Sequence, residues 1–195
     1  MWAEVKADQV IKVHHRPRAL TVNGIQHPSG IFSKWTKEKL AEIGMFPYVI
    51  QKTGDIRFQK EGSVEYKIES DKVIGIISYK DRDMEDFKHV DKSGDPILGI
   101  NGKQIVTLGL KSKYINEVNK KCYNILCKTD WYVVKHTEIG TDIPSDIKTF
   151  RASIRTKANA LETSIKACSS FDDLKVILDP PDKDTNAPFQ DWPEL

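Results

Sequence analysis

From residue 1 to about residue 80, apolar residues come in short runs broken by turn signals (Asn-Gly, Thr-Gly-Asp, Glu-Gly), which is strand texture. WAEV and VIKV, split by KADQ, predict an opening hairpin. In the second run Val10 and Lys12 fall on one face, Ile11 and Val13 on the other. YVIQK, DIRFQK, SVEYKIE and KVIGIISYK read as further strands. In SVEYKIE, Val64, Tyr66 and Ile68 alternate with Ser63, Glu65, Lys67 and Glu69, the pattern of a half-buried strand with one wet face. One short helix interrupts the series at TKEKLAEIG. Thr36 is placed as its N-cap, Glu38 lies in the first turn, Leu40 and Ile43 share a face, and Gly44 suits the left-handed stop. The expectation for 1–80 is a small antiparallel β domain with one helix.

Residues 81–106 are charged and turn-rich, DRDMEDFKHVDKSGDPILGINGKQ, and read as a linker. Beyond it the period changes. Leu108, Ile115 and Cys122 stand seven apart with Val118 and Ile125 between them, predicting a helix over about 108–127. Ile147, Ile154, Leu161 and Cys168 repeat every seven residues, and Phe150, Ala158 and Ile165 fill the same face of a helix over about 145–168 that Pro144 and Ser145 start. The two stripes are expected to pack on each other, or on copies of themselves, as a helical hairpin or coiled-coil arms. Between them TDWYVV reads as a short strand, so 107–178 is a helix-strand-helix domain and the fold class is α+β. Residues 179–195, with four prolines and five acids against one lysine, read as an extended acidic tail.

Composition narrows the function classes. Thirty basic and twenty-eight acidic residues give a net charge of +2, which implies no nucleic-acid partner. No run approaches the length of a membrane span, and MWAEVKADQVIKV lacks the apolar core of a signal peptide, so a soluble protein made in the cytoplasm is expected. Cys122, Cys127 and Cys168 form an odd set without CxxC, implying free thiols used as small apolar residues.

The motifs of catalysis fail one by one. His14 and His15 point to opposite faces of a strand and do not share a metal. DKDTN begins like a calcium loop, but Ala187 stands at its glycine position and Pro193 at its bidentate acid. In GDPILGINGK, Gly94 and Gly99 are followed by Ile100, which excludes a phosphate-binding loop. No catalytic, cofactor-binding or metal-binding residue is assigned, and a non-enzymatic protein is expected. The remaining candidates are aromatic. Trp131 and Tyr132 are expected to be mostly buried, either clamping the TDWYVV strand into a core or forming part of a partner surface. Phe189, Trp192 and Leu195 recur every three residues in PFQDWPEL, which reads as a docking segment for a partner.

Thr129-Asp130-Trp131-Tyr132-Val133-Val134, then Lys135, Glu138, Ile143-Pro144, Phe150-Arg151-Ala152 and Arg155, resembles the C-terminal signature of small bacteriophage tail proteins known as tail or tail-fibre assembly chaperones. MWAEV, PRALTVNGIQHPSGIF and WTKEKLAEIGMFPY resemble the N-terminal module of small tail-associated proteins of marine phages. The resemblance implies a virion tail component, made in the host cytoplasm, whose partners are other phage tail or fibre proteins. It also leaves room for a tail-fibre assembly chaperone not retained in the virion. The β domain ahead of the helices exceeds what a minimal helical chaperone needs and favours the structural role. A host-surface polymer-degrading enzyme, arguable only from the acidic run DRDMED and exposed aromatics, is the alternative of another class.

Overall fold

A computed structural model describes residues 1–22 and 24–195, and the chain divides into two compact units, Met1–Asp81 and Arg82–Leu195. The first unit contains β1 (Trp2–Lys6), β2 (Gln9–His14), β3 (Leu20–Val22), β4 (Ile25–His27), α1 (Ile31–Lys34), α2 (Lys37–Glu42), β5 (Met45–Gln51), β6 (Gln59–Ile68) and β7 (Val73–Asp81). Five of the strands form one sheet in the order β2-β1-β5-β7-β6, and β3 pairs with β4. The opening hairpin forms as its pattern predicts, with Ala7 and Asp8 both in left-handed backbone (φ 49° and 57°) as a tight two-residue turn requires.

The sheet is mixed, not antiparallel throughout. After β5 the chain turns through DIRF, which is a turn and not a strand, and runs out to the sheet edge as β6. It then returns as β7 between β6 and β5, so β5 and β7 are parallel. Two short helices, not one, pack beside this sheet. Ile31 of α1, Leu40 of α2 and Met45 are buried together with Trp2, Leu20, Phe32, Trp35 and Ile43 against them, while Ala3, Tyr48 and Val73 centre a second cluster. Helix α2 starts where the Thr36 hydroxyl accepts the Lys39 N–H at 3.3 Å. It ends at Gly44, whose φ of 75° and close approach to the Val5 carbonyl leave no room for a side chain.

The second unit opens with the segment expected to be a linker, and that segment has structure of its own. β8 (Phe87–Lys88) pairs with β9 (Val106–Thr107). Between them the His89 N–H donates to the Ile105 carbonyl, the Ile105 N–H to the Ile97 carbonyl and the Ile97 N–H to the His89 carbonyl, a closed ring of bonds among three chain limbs. Four helices follow: α3 (Leu110–Leu126), α4 (Asp130–Ile139), α5 (Ser145–Ala167) and α6 (Phe171–Leu178). Helices α3 and α5 pack on each other. Val118, Ile154, Ala158, Leu161 and Ile165 of the two stripes are buried, and Ile115, Cys122 and Ile125 are half-buried at the flank.

The acidic run DRDMED serves α3. The Asp86 carboxylate accepts the Gly109 N–H at 2.8 Å and the Ser112 hydroxyl at 2.9 Å, while the Asp83 and Met84 carbonyls accept the N–H groups of Leu110 and Lys111. A helix that starts on glycine, with no capping side chain of its own, thus borrows one from upstream.

Candidate partner-binding surface

The stretch expected as a strand is helix α4, joined to α3 by a 3-10 turn at Cys127–Thr129. Tryptophan, tyrosine and two valines favour strand by propensity, but the ends of the segment decide otherwise. Asp130 places an acid in the first turn, and Gly140 stops the helix in left-handed backbone (φ 71°), its N–H bonded to the His136 carbonyl at 2.9 Å. His136 Nδ1 adds a bond to the Thr141 carbonyl at 3.0 Å.

One buried arginine holds this junction. Arg151, on α5 and only 7% exposed, donates through Nη1 to the Leu126 carbonyl (2.8 Å) and to Thr129 Oγ1 (2.6 Å), and through Nη2 to Asp130 Oδ1 (2.8 Å). Thr129 Oγ1 in turn donates to the Leu126 carbonyl at 3.0 Å. The guanidinium therefore meets the carbonyl end of α3, where a cation is favoured, and the acid at the amino end of α4. Thr129, Asp130 and Arg151, separated in the signature TDWYVV…FRA, form one bracket in space.

The helix so held does not bury its aromatics. No residue of α4 is buried, and Trp131 is 63% exposed and Tyr132 36%, which corrects the expectation that both are mostly buried. A strand would have divided the apolar residues between two covered faces. A helix spreads them around its circumference, and Trp131, Val134 and Ile139 reach solvent.

The tail is not an extended free end. Ala187 is fully buried, and the Phe189 N–H donates to the Ile177 carbonyl of α6 at 3.0 Å. The Phe189 ring meets Tyr114 of α3 edge-on at 5.9 Å. Trp192 Nε1 bonds the Phe189 carbonyl at 2.9 Å, and the Lys121 ammonium sits 5.6 Å from the Trp192 ring centre. Phe189 and Trp192, both half-buried, thus make contacts within their own unit. Ala187, Pro188, Phe189 and Trp192 find a surface to bury against within the same chain, while residues 180–186 stay exposed as their acidic, proline-rich composition predicts. Leu195 remains exposed at the rim of a groove of about 480 Å³ lined by Ile125, Lys128, Thr129, Phe150, Trp192 and Pro193.

Periodicity does not disclose helix α6, although Ser170-Phe-Asp-Asp173 carries the signal for its start. The Ser170 hydroxyl accepts the Asp173 N–H, and the Asp173 carboxylate accepts the Ser170 N–H in return. Asp173 also takes the Ser169 N–H (2.8 Å) and Ser169 Oγ (2.9 Å). The bonds from Ser169, then those from Ser170, hold its pKa at about 2, well below the usual carboxylate range.

Among the described residues, no group of three or more His, Cys, Asp or Glu side chains is placed to hold a metal ion, and no helix is long and apolar enough to cross a membrane. His14 lies between Glu4, 3.2 Å from Nε2, and Arg18, whose Nε donates to Nδ1 at 3.3 Å. With Nδ1 accepting, the ring donates through Nε2, so this pair of bonds uses both nitrogens. Comparison with family models, with curated proteins and with solved structures yields no match.

Proposed function

We infer that this chain is a phage tail-associated structural protein, part of a tail-fibre or baseplate-proximal assembly, acting through protein-protein contacts. The observation that carries the reading is the exposed Trp131 on a helix whose first turn Arg151 holds and whose end Gly140 sets. Tryptophan is the residue most often found as an interface anchor, and an anchor on a rigid helix loses little freedom when a partner covers it. Val134, Ile139 and Leu195 extend apolar exposure in the same unit. The TDWYVV and FRA signature, with its resemblance to phage tail proteins, supports placing that partner in the tail. Of the acids that would argue for polymer cleavage, Asp86 is engaged in starting α3 and Asp81 accepts the Gln59 side-chain amide.

Mass spectrometry of purified virions tests the structural role. Stoichiometric recovery is expected, whereas presence in infected cells without presence in virions shows a released assembly chaperone. Trp131→Ala tests the surface. Because the side chain is exposed, folding stability should change by no more than about 0.5 kcal/mol, while incorporation into tails should fall. Normal incorporation of this variant would remove Trp131 from the interface.

A further inference from the structure

The first unit presents an edge strand whose sequence is complementary to itself. β6 stands at one end of the five-stranded sheet, paired with β7 on one side only, and every residue from Lys60 to Lys67 is exposed. Natural sheets blunt such edges with bulges, and β6 has one, where its register against β7 shifts between Glu61 and Val64. The bulge leaves the C-terminal half untouched. From Val64 to Ile68 the strand pairs regularly with Ile77 to Val73, and its own outer edge is open.

That half reads Val-Glu-Tyr-Lys-Ile. Turned antiparallel on a copy of itself about Tyr66, it sets Val64 against Ile68, Glu65 against Lys67 and Tyr66 against Tyr66. Each pair is one that stabilises antiparallel strands, and the opposite-charge pair occurs twice by symmetry. The two-fold axis is perpendicular to the sheet, so each face continues as itself. Val64, Tyr66 and Ile68, the face on which Tyr66 already lies 6.2 Å from the Tyr48 ring, join the same residues of the copy, and both charge pairs lie on the other face. The register serves whichever of residues 64–68 point their backbone groups outward, because a centre on Tyr66 is valid for either kind of antiparallel pair. The opposite edge offers no such charge pairs: pairing β2 about Lys12 sets that lysine against itself, and pairing it about Ile11 sets Val10 against Lys12.

We propose that two copies of this chain associate through the Val64–Ile68 edge of β6, pairing antiparallel about Tyr66 to make one continuous sheet with five strands from each copy. This contact is independent of the exposed α4 helix. Sedimentation velocity over a micromolar to millimolar concentration series tests it on the full chain. Wild type should show a monomer–dimer equilibrium. Glu65→Lys and Lys67→Glu, each of which sets like charges opposite each other twice, should weaken it by about tenfold or more while keeping the wild-type circular dichroism. Mixing these two variants should restore a 1:1 dimer, because the lysine introduced at position 65 of one copy then faces the glutamate introduced at position 67 of the other. The double variant should dimerise by itself. A wild type that stays monomeric across the series overturns the proposal. So does a dimer indifferent to both single changes, or single variants that fail to complement when mixed.

Discussion

Arg151 shows how much of an architecture one side chain can hold. It ties α5 to the last carbonyl of α3, to the Thr129 hydroxyl and to the first acid of α4, through two nitrogens whose fixed fork supplies three directions at once. Arg151→Lys keeps the charge but offers a point donor on a flexible stem, so it recovers at most part of this set. Arg151→Met removes all three bonds and leaves Asp130 without its cation. Hydrogen bonds to charged groups contribute about 1.5–3 kcal/mol each and do not add fully, and Asp130 is half exposed, so water takes over part of its loss. The expected cost of Arg151→Met is about 2–4 kcal/mol, with Arg151→Lys between it and wild type, measured by urea unfolding. A midpoint within error of wild type for both would show that the bracket is incidental to stability.

At the scale of elements, the ends of segments decide what hydrophobic pattern alone does not. The stripes of α3 and α5 are legible because seven-residue spacing over many turns is hard to produce otherwise, and Thr36 and Gly44 mark α2 because each has a local physical role. TDWYVV misleads because its side chains favour strand while its fate depends on Asp130, Gly140 and an arginine some twenty positions away. The mixed sheet is hidden for a related reason: period two says that a strand exists, not which neighbour it takes. The capping pair of α6 sits in plain sequence, and it gives this element a pH dependence. Asp173 has a depressed folded-state pKa of about 2 against about 3.9 for an unfolded aspartate, so its contribution is fully present above about pH 4 and disappears as pH falls toward 2. Wild-type α6 should therefore lose stability across that window more than an Asp173→Asn variant does, read by hydrogen exchange of the Leu174–Leu178 amides. Equal acid sensitivity in both would assign the effect to other carboxylates.

The whole molecule is two units with separate means of closing a core. Met1–Asp81 buries Ala3, Tyr48 and Val73 in one cluster and Ile31, Leu40 and Met45 in another. Arg82–Leu195 closes around Val118, Ile154, Leu161, Ile165 and Leu174 and adds its own tail as a further layer, with Ala187 inside. A chain with two such cores is expected to unfold in two steps, because cooperativity extends only as far as shared burial. Residues 82–195 expressed alone should fold and melt cooperatively, and removing 187–195 should destabilise that fragment, since it strips Ala187, Phe189 and Trp192 from their contacts. Leu161 is the sharper probe. It is almost wholly buried between long helices, and truncation to alanine costs transfer free energy plus a cavity, about 2–5 kcal/mol. In calorimetry of the full chain Leu161→Ala should lower the transition shared with the 82–195 fragment by about 5 °C or more and leave the other transition in place. One transition moving as a whole would mean that the two units unfold as one.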